Sequence, residues 1–286
     1  MKPITFPGAL ELFLVFLKEK KRSSNTILAY KTDLSQLAAV LKVKGIDHPT
    51  AVNQKILEEV KTDYQKKGYT LKSISRKLNA YRTFFSFLKN KGFIQEDVTL
   101  GVAYPKTEMQ PPRILTPMEY RALRDSVRGN NRLAAIVEVL LQTGLRISEL
   151  SNLSLEDIKA DSLAIRPFES QPARTVPLNK PAREALDIYL EERPKSKIKN
   201  VFITNTGRKF LIRNIREVIK RHLLAAGVKD ASVNDLRHTF IAHHLENGVP
   251  LPVLAKIVGH KRLSTTERYL KFVKVQTDKP TKLGEL

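Results

Sequence analysis

The stretch VGHKRLSTTERYLKF, Val258 to Phe272, sets His260 and Tyr269 nine residues apart with serine and threonines between them. Tyr269 is either an ordinary half-buried aromatic or a nucleophile. A phenol of pKa near 10 attacks poorly at neutral pH, so a nucleophilic tyrosine needs fixed cations that favour its anion. Two arginines are suited to that role, Arg146 in TGLRISEL and Arg237 in NDLRHTFIAHHL. Guanidinium keeps its charge, and its planar fork matches the nonbridging oxygens of a phosphoryl group. Such donors stabilise a transition state in which charge builds on those oxygens. His260 offers one more donor, or else a cap for the preceding helix. Taken singly, each arginine also reads as a surface or phosphate-positioning residue.

The neighbours of these residues matter as much. Glu149 follows Arg146 by three positions, a spacing that locks the arginine side chain or leaves an exposed helix charge. Asn234 and Arg237 share one helix face. His238, adjacent to Arg237, is expected to point off that face into a packing and hydrogen-bonding role. His243 and His244 read as helix-surface or inter-helix residues.

Overall charge points to a polyanionic partner. The chain of 286 residues carries a net charge of +21, with 19 basic against 10 acidic residues up to position 112 and 31 against 19 beyond it. Two basic halves suit contact along a nucleic acid better than a single tether does, and a bland basic protein is the alternative. The absence of tryptophan argues against a single-strand stacking platform. With no cysteine there is no disulfide, thiolate or Cys-based zinc chemistry. No Walker loop and no acidic cluster for a two-metal nuclease are visible, so neither metal nor cofactor is expected. The apolar run Ala9 to Leu17 contains Glu11 and is too short to span a bilayer, which gives the expectation of a cytoplasmic protein without a membrane anchor.

The elements that must position these residues fall into two groups. Helical spacing over Ser23 to Lys42 and Ser73 to Leu88, a helix over Asn53 to Lys66 and the stripe around Ala9 to Leu17 predict an all-helical domain over 1–101. Its Phe84, Phe85 and Phe87 read as core or subunit contact. Lys72, Arg76, Lys77 and Arg82 read as solvated surface or as phosphate contacts. A proline-bearing linker, 102–112, leads into a second domain over 113–286. There Thr116-Pro117-Met118-Glu119 is a capping box, and a helix from Asn131 to Gln142 stops at Gly144. Short strands are predicted at 163–165, 174–178 and 201–204. Helices follow over 181–191, 210–226, 233–246 and 250–258, and a last one, started by a capping box at Ser264 to Glu267, from 265.

Taken in order and spacing, TGLRISEL (143–150), RTVPL (174–178), NDLRHTFIAHHL (234–245), VGH (258–260) and LSTTERY (263–269) resemble the tyrosine recombinase (phage integrase) family. The resemblance covers essentially the whole chain. It implies a mainly α fold: a helical SAM-like core-binding domain and a mixed α+β catalytic domain with a small antiparallel sheet. It further implies a clamp around duplex DNA, a dimer on one site and a tetramer pairing two recombination sites. Arg146 and Arg237 match the family's two active-site arginines, and Glu149 an acidic position that holds the first. His260 matches the donor to the scissile phosphate, and Tyr269 the nucleophile. Its attack would give a 3′-phosphotyrosyl ester and a free 5′-hydroxyl, with strand exchange through a Holliday junction and no need of ATP or metal. The length resembles Xer-type or transposon-resolving recombinases more than an integrase with a large arm-binding domain.

Two departures stand out. The family usually has histidine where this chain has Asn234, which can position a phosphate but cannot carry a proton. The family also places a lysine in the hairpin before the RTVPL strand, to protonate the leaving 5′ oxygen. Here the connection is FESQPA, with no lysine between Lys159 and Lys180. Arg166, Arg174, Lys180 or a lysine outside the hairpin are the candidate substitutes, and an arginine is a poor proton donor. A weakened DNA-binding relative and a type IB topoisomerase-like enzyme are the alternatives. Phe272, Val273 and Val275 in the tail, 271–286, lead to the expectation that it docks on a neighbouring protomer.

Overall fold

In a computed structural model of the chain, residues 4–106, 110–168, 171–273 and 284–285 are described. Two compact units divide the chain, Met1–Met109 and Gln110–Leu286.

The first unit is helical. Helices α1 (Phe6–Glu19), α2 (Ser24–Val43), α3 (Gln54–Lys66) and α4 (Leu71–Asn90) start at Thr5, Ser23, Asn53 and Thr70. Each of these side chains accepts a backbone N–H of the first turn, a cap that contributes about 1 kcal/mol. Helix α4 packs against the other three and carries Phe84, Phe85, Phe87 and Tyr81 into the core. The expected linker begins later than its composition suggests. Val102 is buried in this core, and Tyr104 packs on it, donating to Asn79 with the Arg82 guanidinium over its ring.

The basic run on α4 is not one surface. Lys77 is buried: its ammonium bonds Gln36 and Asp33 (3.1 Å to the carboxylate) and lies over the rings of Tyr64 and Tyr69. It cannot reach a phosphate, which corrects the expectation for this residue. The helical period brings it round to face Asp33 of α2, itself buried, so the pair neutralises in place. Arg76 spends part of its charge on the same carboxylate. Lys72 is exposed.

In the second unit, α5 (Pro117–Ser126) opens with the Thr116–Glu119 capping box. Then come α6 (Asn131–Thr143) and α7 (Ile147–Asn152). Strands β1 (Ser162–Ile165) and β2 (Arg174–Pro177) pair antiparallel, with Leu163 opposite Val176. Next are α8 (Lys180–Glu192), α9 (Ile212–Ala225), α10 (Val233–Glu246), α11 (Leu251–Val258) and α12 (Ser264–Glu267). Helix α12 runs on as a 3-10 turn over Arg268–Lys271. Helix α6 is central, lying against α8 and α10 and burying Ile136, Val137, Leu140 and Leu141. This is the mainly helical, small-sheet architecture that the sequence implies.

Two local expectations differ, and a third falls mostly outside the described residues. Residues 201–204 form no strand: Val201 donates to Leu153 and Thr204 to Arg208, so their backbone groups are satisfied by isolated bridges and a turn rather than along a ladder. Ser264 does not cap α12. The residue before it, Leu263, is already helical, and no side chain caps that end. Val273 packs on the core of its own unit, while Val275 and most of the tail lie outside the described residues. Among the described residues no helix is long and apolar enough to cross a membrane.

Candidate active site

The site is built around the last carbonyls of α11. A helix ends with carbonyls that lack an intrahelical partner and carry the negative end of its dipole. Gly259 closes the helix at φ +69°, a left-handed conformation natural to glycine, and aims those carbonyls at a group of arginines. Arg174 Nε donates to the Ile257 oxygen at 2.7 Å. Arg237 Nη2 donates to the Val258 oxygen at 2.6 Å, and Arg146 Nη1 reaches the same oxygen at 3.3 Å. Arg146 Nη2 donates to the Gly259 oxygen at 2.8 Å. Three guanidinium groups from distant parts of the sequence thus grip one turn, the turn that presents His260.

Each arginine has its own anchor. Helix α6 stops at Gly144, φ +60°, where an added Cβ would collide with the Phe240 ring. The freed Gly144 carbonyl accepts from Arg237 Nη1 at 2.5 Å. Two residues on, Arg146 precedes α7, and Glu149 accepts both its backbone N–H (2.8 Å) and its Nη1 (2.9 Å). Glu149 also takes both terminal nitrogens of Arg174, at 2.7 and 2.8 Å. Burial pushes the Glu149 carboxyl up, but hydrogen bonds and charge from Arg174 and Arg146 outweigh it and hold the group below the usual range. Arg237 is almost wholly buried; desolvation first, and then the charge of Arg146, bring it down to about 9, so it stays cationic at neutral pH. Arg146 keeps 27% of its side chain open to solvent and is the more accessible of the pair.

Tyr269 lies on the 3-10 turn beyond α12 and is 8% exposed. Its hydroxyl is 2.6 Å from His238 Nδ1, and its ring stacks near that of His260 with centroids 6.5 Å apart. Burial pushes the phenol up, while Arg237 and Arg268 pull against it. His260 Nδ1 meets the hydroxyl of buried Thr266 at 2.8 Å. Burial, with Arg237 and Arg146 adding to it, brings His260 down to about 3 and keeps it neutral.

The remaining residues singled out in the sequence divide. Asn234 is exposed on the first turn of α10. Arg174 is at the site, where Glu149 and the Ile257 carbonyl take three of its five N–H donors, so it clamps, and a guanidinium makes a poor proton donor. Arg166 points to Asp157 and Glu156, and Lys180 is 78% exposed beside Glu184. His238 has the interior hydrogen-bonding role expected of it, and the partner that the sequence does not name is Tyr269, met one turn beyond Asn234. Thr266 is hidden by the capping-box reading of its segment. Two lysines also carry no motif that would single them out. A cleft of about 770 Å³ lies between the end of the hairpin, Gln171 to Arg174, and the α11 turn, and Lys256 and Lys261 line it together with His260.

A family model described as phage integrase family matches residues 112–274. A second, for the phage integrase N-terminal SAM-like domain, matches residues 10–92. The chain belongs to the phage integrase family. Among its relatives, tyrosine recombinase XerC of Thermodesulfovibrio yellowstonii is 32% identical over 273 residues, covering 90% of this chain and 89% of the relative. Tyrosine recombinase XerD of Staphylococcus aureus is 31% identical over 282 residues, covering 94% and 96%. The crystal structure of XerA recombinase matches with a TM-score of 0.54 at 25% identity, covering 92% of this chain and 93% of that one. A lambda integrase (75–356) dimer bound to a COC′ core site matches with a TM-score of 0.78 at 16% identity, covering 96% and 99%, a likeness of fold. As a phage integrase family member, the chain has the two-part architecture of a helical SAM-like domain and a catalytic-type domain.

Proposed function

We propose that this chain is a metal-independent, site-specific DNA recombinase in which Tyr269 cleaves one strand of a duplex as a 3′-phosphotyrosyl ester. The observation that carries the reading is the convergence of Arg146 and Arg237 on the Val258 carbonyl, beside His260 and Tyr269. Arg146 and Arg237 hold donors fixed before the phosphate arrives, so little reorganisation is needed as negative charge builds on its oxygens. In the tautomer this chemistry needs, Thr266 donates to Nδ1 of neutral His260, and Nε2–H is free to donate to a nonbridging oxygen. Asn234, at the exposed start of α10, is a phosphate positioner. Glu149 acts through the two arginines it holds. Lys256 and Lys261, on the cleft beside the hairpin, take the place of the hairpin lysine as donors to the departing 5′ oxygen.

Exchange through a Holliday junction, pairing of two sites in a tetramer and a Xer-like role complete the proposal. The relatives named XerC and XerD and the basic charge of both units support them. Lys72 and the exposed part of Arg76 are then the phosphate contacts on α4. The test is covalent trapping on a nicked duplex selected for binding from random sequence. Wild type should retain DNA covalently and Tyr269→Phe should not; if neither does, the catalytic reading fails. Tight, salt-sensitive binding without cleavage would leave a DNA-binding relative. Relaxation of plasmids lacking paired sites would instead indicate a topoisomerase-like enzyme.

A further inference from the structure

When a tyrosine attacks phosphorus its phenolic proton must leave, and around Tyr269 the choice of acceptor is narrow. Arg146, Arg237 and Arg268 are donors only. Asn234 has no basic atom, and the Asp235 carboxylate, which also acts on the phenol, accepts from the Ser232 N–H and hydroxyl at the start of α10. His260 directs Nδ1 at Thr266 rather than at the phenol. His238 Nδ1, by contrast, lies 2.6 Å from the Tyr269 hydroxyl with the two rings tilted at 40°.

From the geometry we infer that His238 is the base that takes the proton from Tyr269 during strand cleavage and returns it during rejoining. The inference rests on the cleavage reading above and adds a residue to it. A neutral imidazole with its proton on Nε2 presents a lone pair at Nδ1. The phenol donates to that lone pair. As the Tyr269 Oη–P bond forms, the proton passes to Nδ1 and the P–O5′ bond breaks. The departing oxygen takes a proton from a lysine ammonium or from water. Rejoining runs the same transfers backwards: the 5′-hydroxyl attacks, and the imidazolium of His238 protonates the leaving phenolate.

The placement follows from the helix. Positions 234 and 238 lie one turn apart on the same side of α10. The proton-accepting group is therefore one turn deeper than Asn234, towards the nucleophile and away from solvent. The charged and titratable groups facing His238 are consistent with a neutral base. Burial lowers its pKa below the ordinary histidine value, Arg237 lowers it further, and Asp235 on the same helix opposes them. From the elements packed against it come Tyr269 with neighbouring Arg268, and His260. Such a base is unprotonated at neutral pH and becomes cationic once it accepts the proton. The imidazolium forms beside the reacting phosphoryl group, whose extra negative charge in the transition state offsets the cost.

The contact has a rival meaning. Tyr269 is 8% exposed, so the same hydrogen bond could be a latch that holds the nucleophile back. The two roles predict opposite signs. Single-turnover cleavage of the nicked duplex would be measured from pH 5 to 9 for wild type, His238→Gln and His238→Ala. Glutamine accepts the phenol's hydrogen bond without taking its proton, so it separates positioning from base catalysis. As a base, His238 gives wild type a rate that falls as pH drops through a value below the ordinary 6.5. Both variants should lose about 10²-fold or more near pH 7, in line with the usual contribution of acid–base catalysis, and lose that limb. Added imidazole should restore His238→Ala in part, whereas Tyr269→Phe stays silent. Faster cleavage in either variant would show a latch and overturn the assignment. A slowed His238→Gln that keeps the wild-type acid limb, or a His238→Gln with wild-type rate, would also overturn it. If wild type itself forms no covalent complex while binding the duplex, the cleavage reading falls, and this assignment with it.

Discussion

Arg174 and Glu149 meet edge to edge, Nη1 to Oε1 at 2.7 Å and Nη2 to Oε2 at 2.8 Å, with side-chain exposures of 5% and 2%. The pair joins strand β2 to helix α7, and through Arg174 Nε it holds the end of α11. A buried pair broken on one side leaves an uncompensated charge, which typically costs about 3–5 kcal/mol. Glu149→Ala is therefore expected to lower unfolding free energy by that order in urea titration, because it strands two guanidinium groups. Arg174→Ala should cost less, since Arg146 still faces the carboxylate. The glutamate's folded pKa is below its ordinary 4.5, so its stabilising contribution is full above that value and is lost as pH falls through the lower folded one.

The salt dependence of DNA binding separates Lys72 from Lys77. Each phosphate contact adds close to one to the slope of log affinity against log salt. Lys72→Ala is expected to reduce that slope by about 1. Lys77→Met removes an ammonium that already faces Asp33 and Gln36, so the slope should not change. A drop in slope for Lys77→Met, measured by fluorescence anisotropy over a salt series, would show that the lysine leaves its buried position to meet DNA.

These two lysines also mark what is legible in the sequence. Helical periodicity places α10 and α11 within a residue or so, because caps and glycine stops are local signals. The four residues Arg146, Arg237, His260 and Tyr269 are readable from their motifs, and the fold brings them to one turn. The direction of side chains whose partners lie far along the chain is not readable. Lys77 looks like surface until α2 supplies Asp33. Arg174 looks like a spare cation until α7 supplies Glu149. His238 reads as an interior hydrogen-bonding residue, but its partner is not readable until the last turn supplies Tyr269. Thr266 reads as part of a local capping box, while its hydroxyl belongs to His260.

His244 makes the second unit sensitive to acid. It is buried on α10 with its ring 4.2 Å from that of Phe240, and desolvation, helped by the charge of His243, brings it down to about 3 from 6.5. Between those values the unfolded chain binds a proton that the folded chain does not, so stability falls as pH drops below about 6.5. His244→Phe keeps a ring against Phe240 and removes the titration. The expected result is a flatter decline of Tm between pH 6.5 and about 4 than in wild type. An unchanged decline would mean that other groups govern acid unfolding, with His260, also near 3, the next to replace.

Lys256 and Lys261 can be told apart from mere phosphate contacts by the chemistry of the leaving group. An alkoxide needs a proton as it departs, whereas a thiolate does not, since its conjugate acid has a far lower pKa. Single-turnover cleavage would be compared on duplexes carrying oxygen or sulfur at the bridging 5′ position. Losing the proton donor should slow the oxygen substrate by about 10²-fold or more and leave the sulfur substrate near wild-type rate. That pattern is expected for Lys256→Ala or Lys261→Ala, the lysines lining the cleft at the hairpin's end. Lys180→Ala should leave both substrates at wild-type rate, because its ammonium is exposed beside Glu184. Equal losses on oxygen and sulfur would assign the cleft lysines to binding. The proton for the 5′ oxygen would then come from solvent, and cleavage would show no dependence on either ammonium beyond affinity.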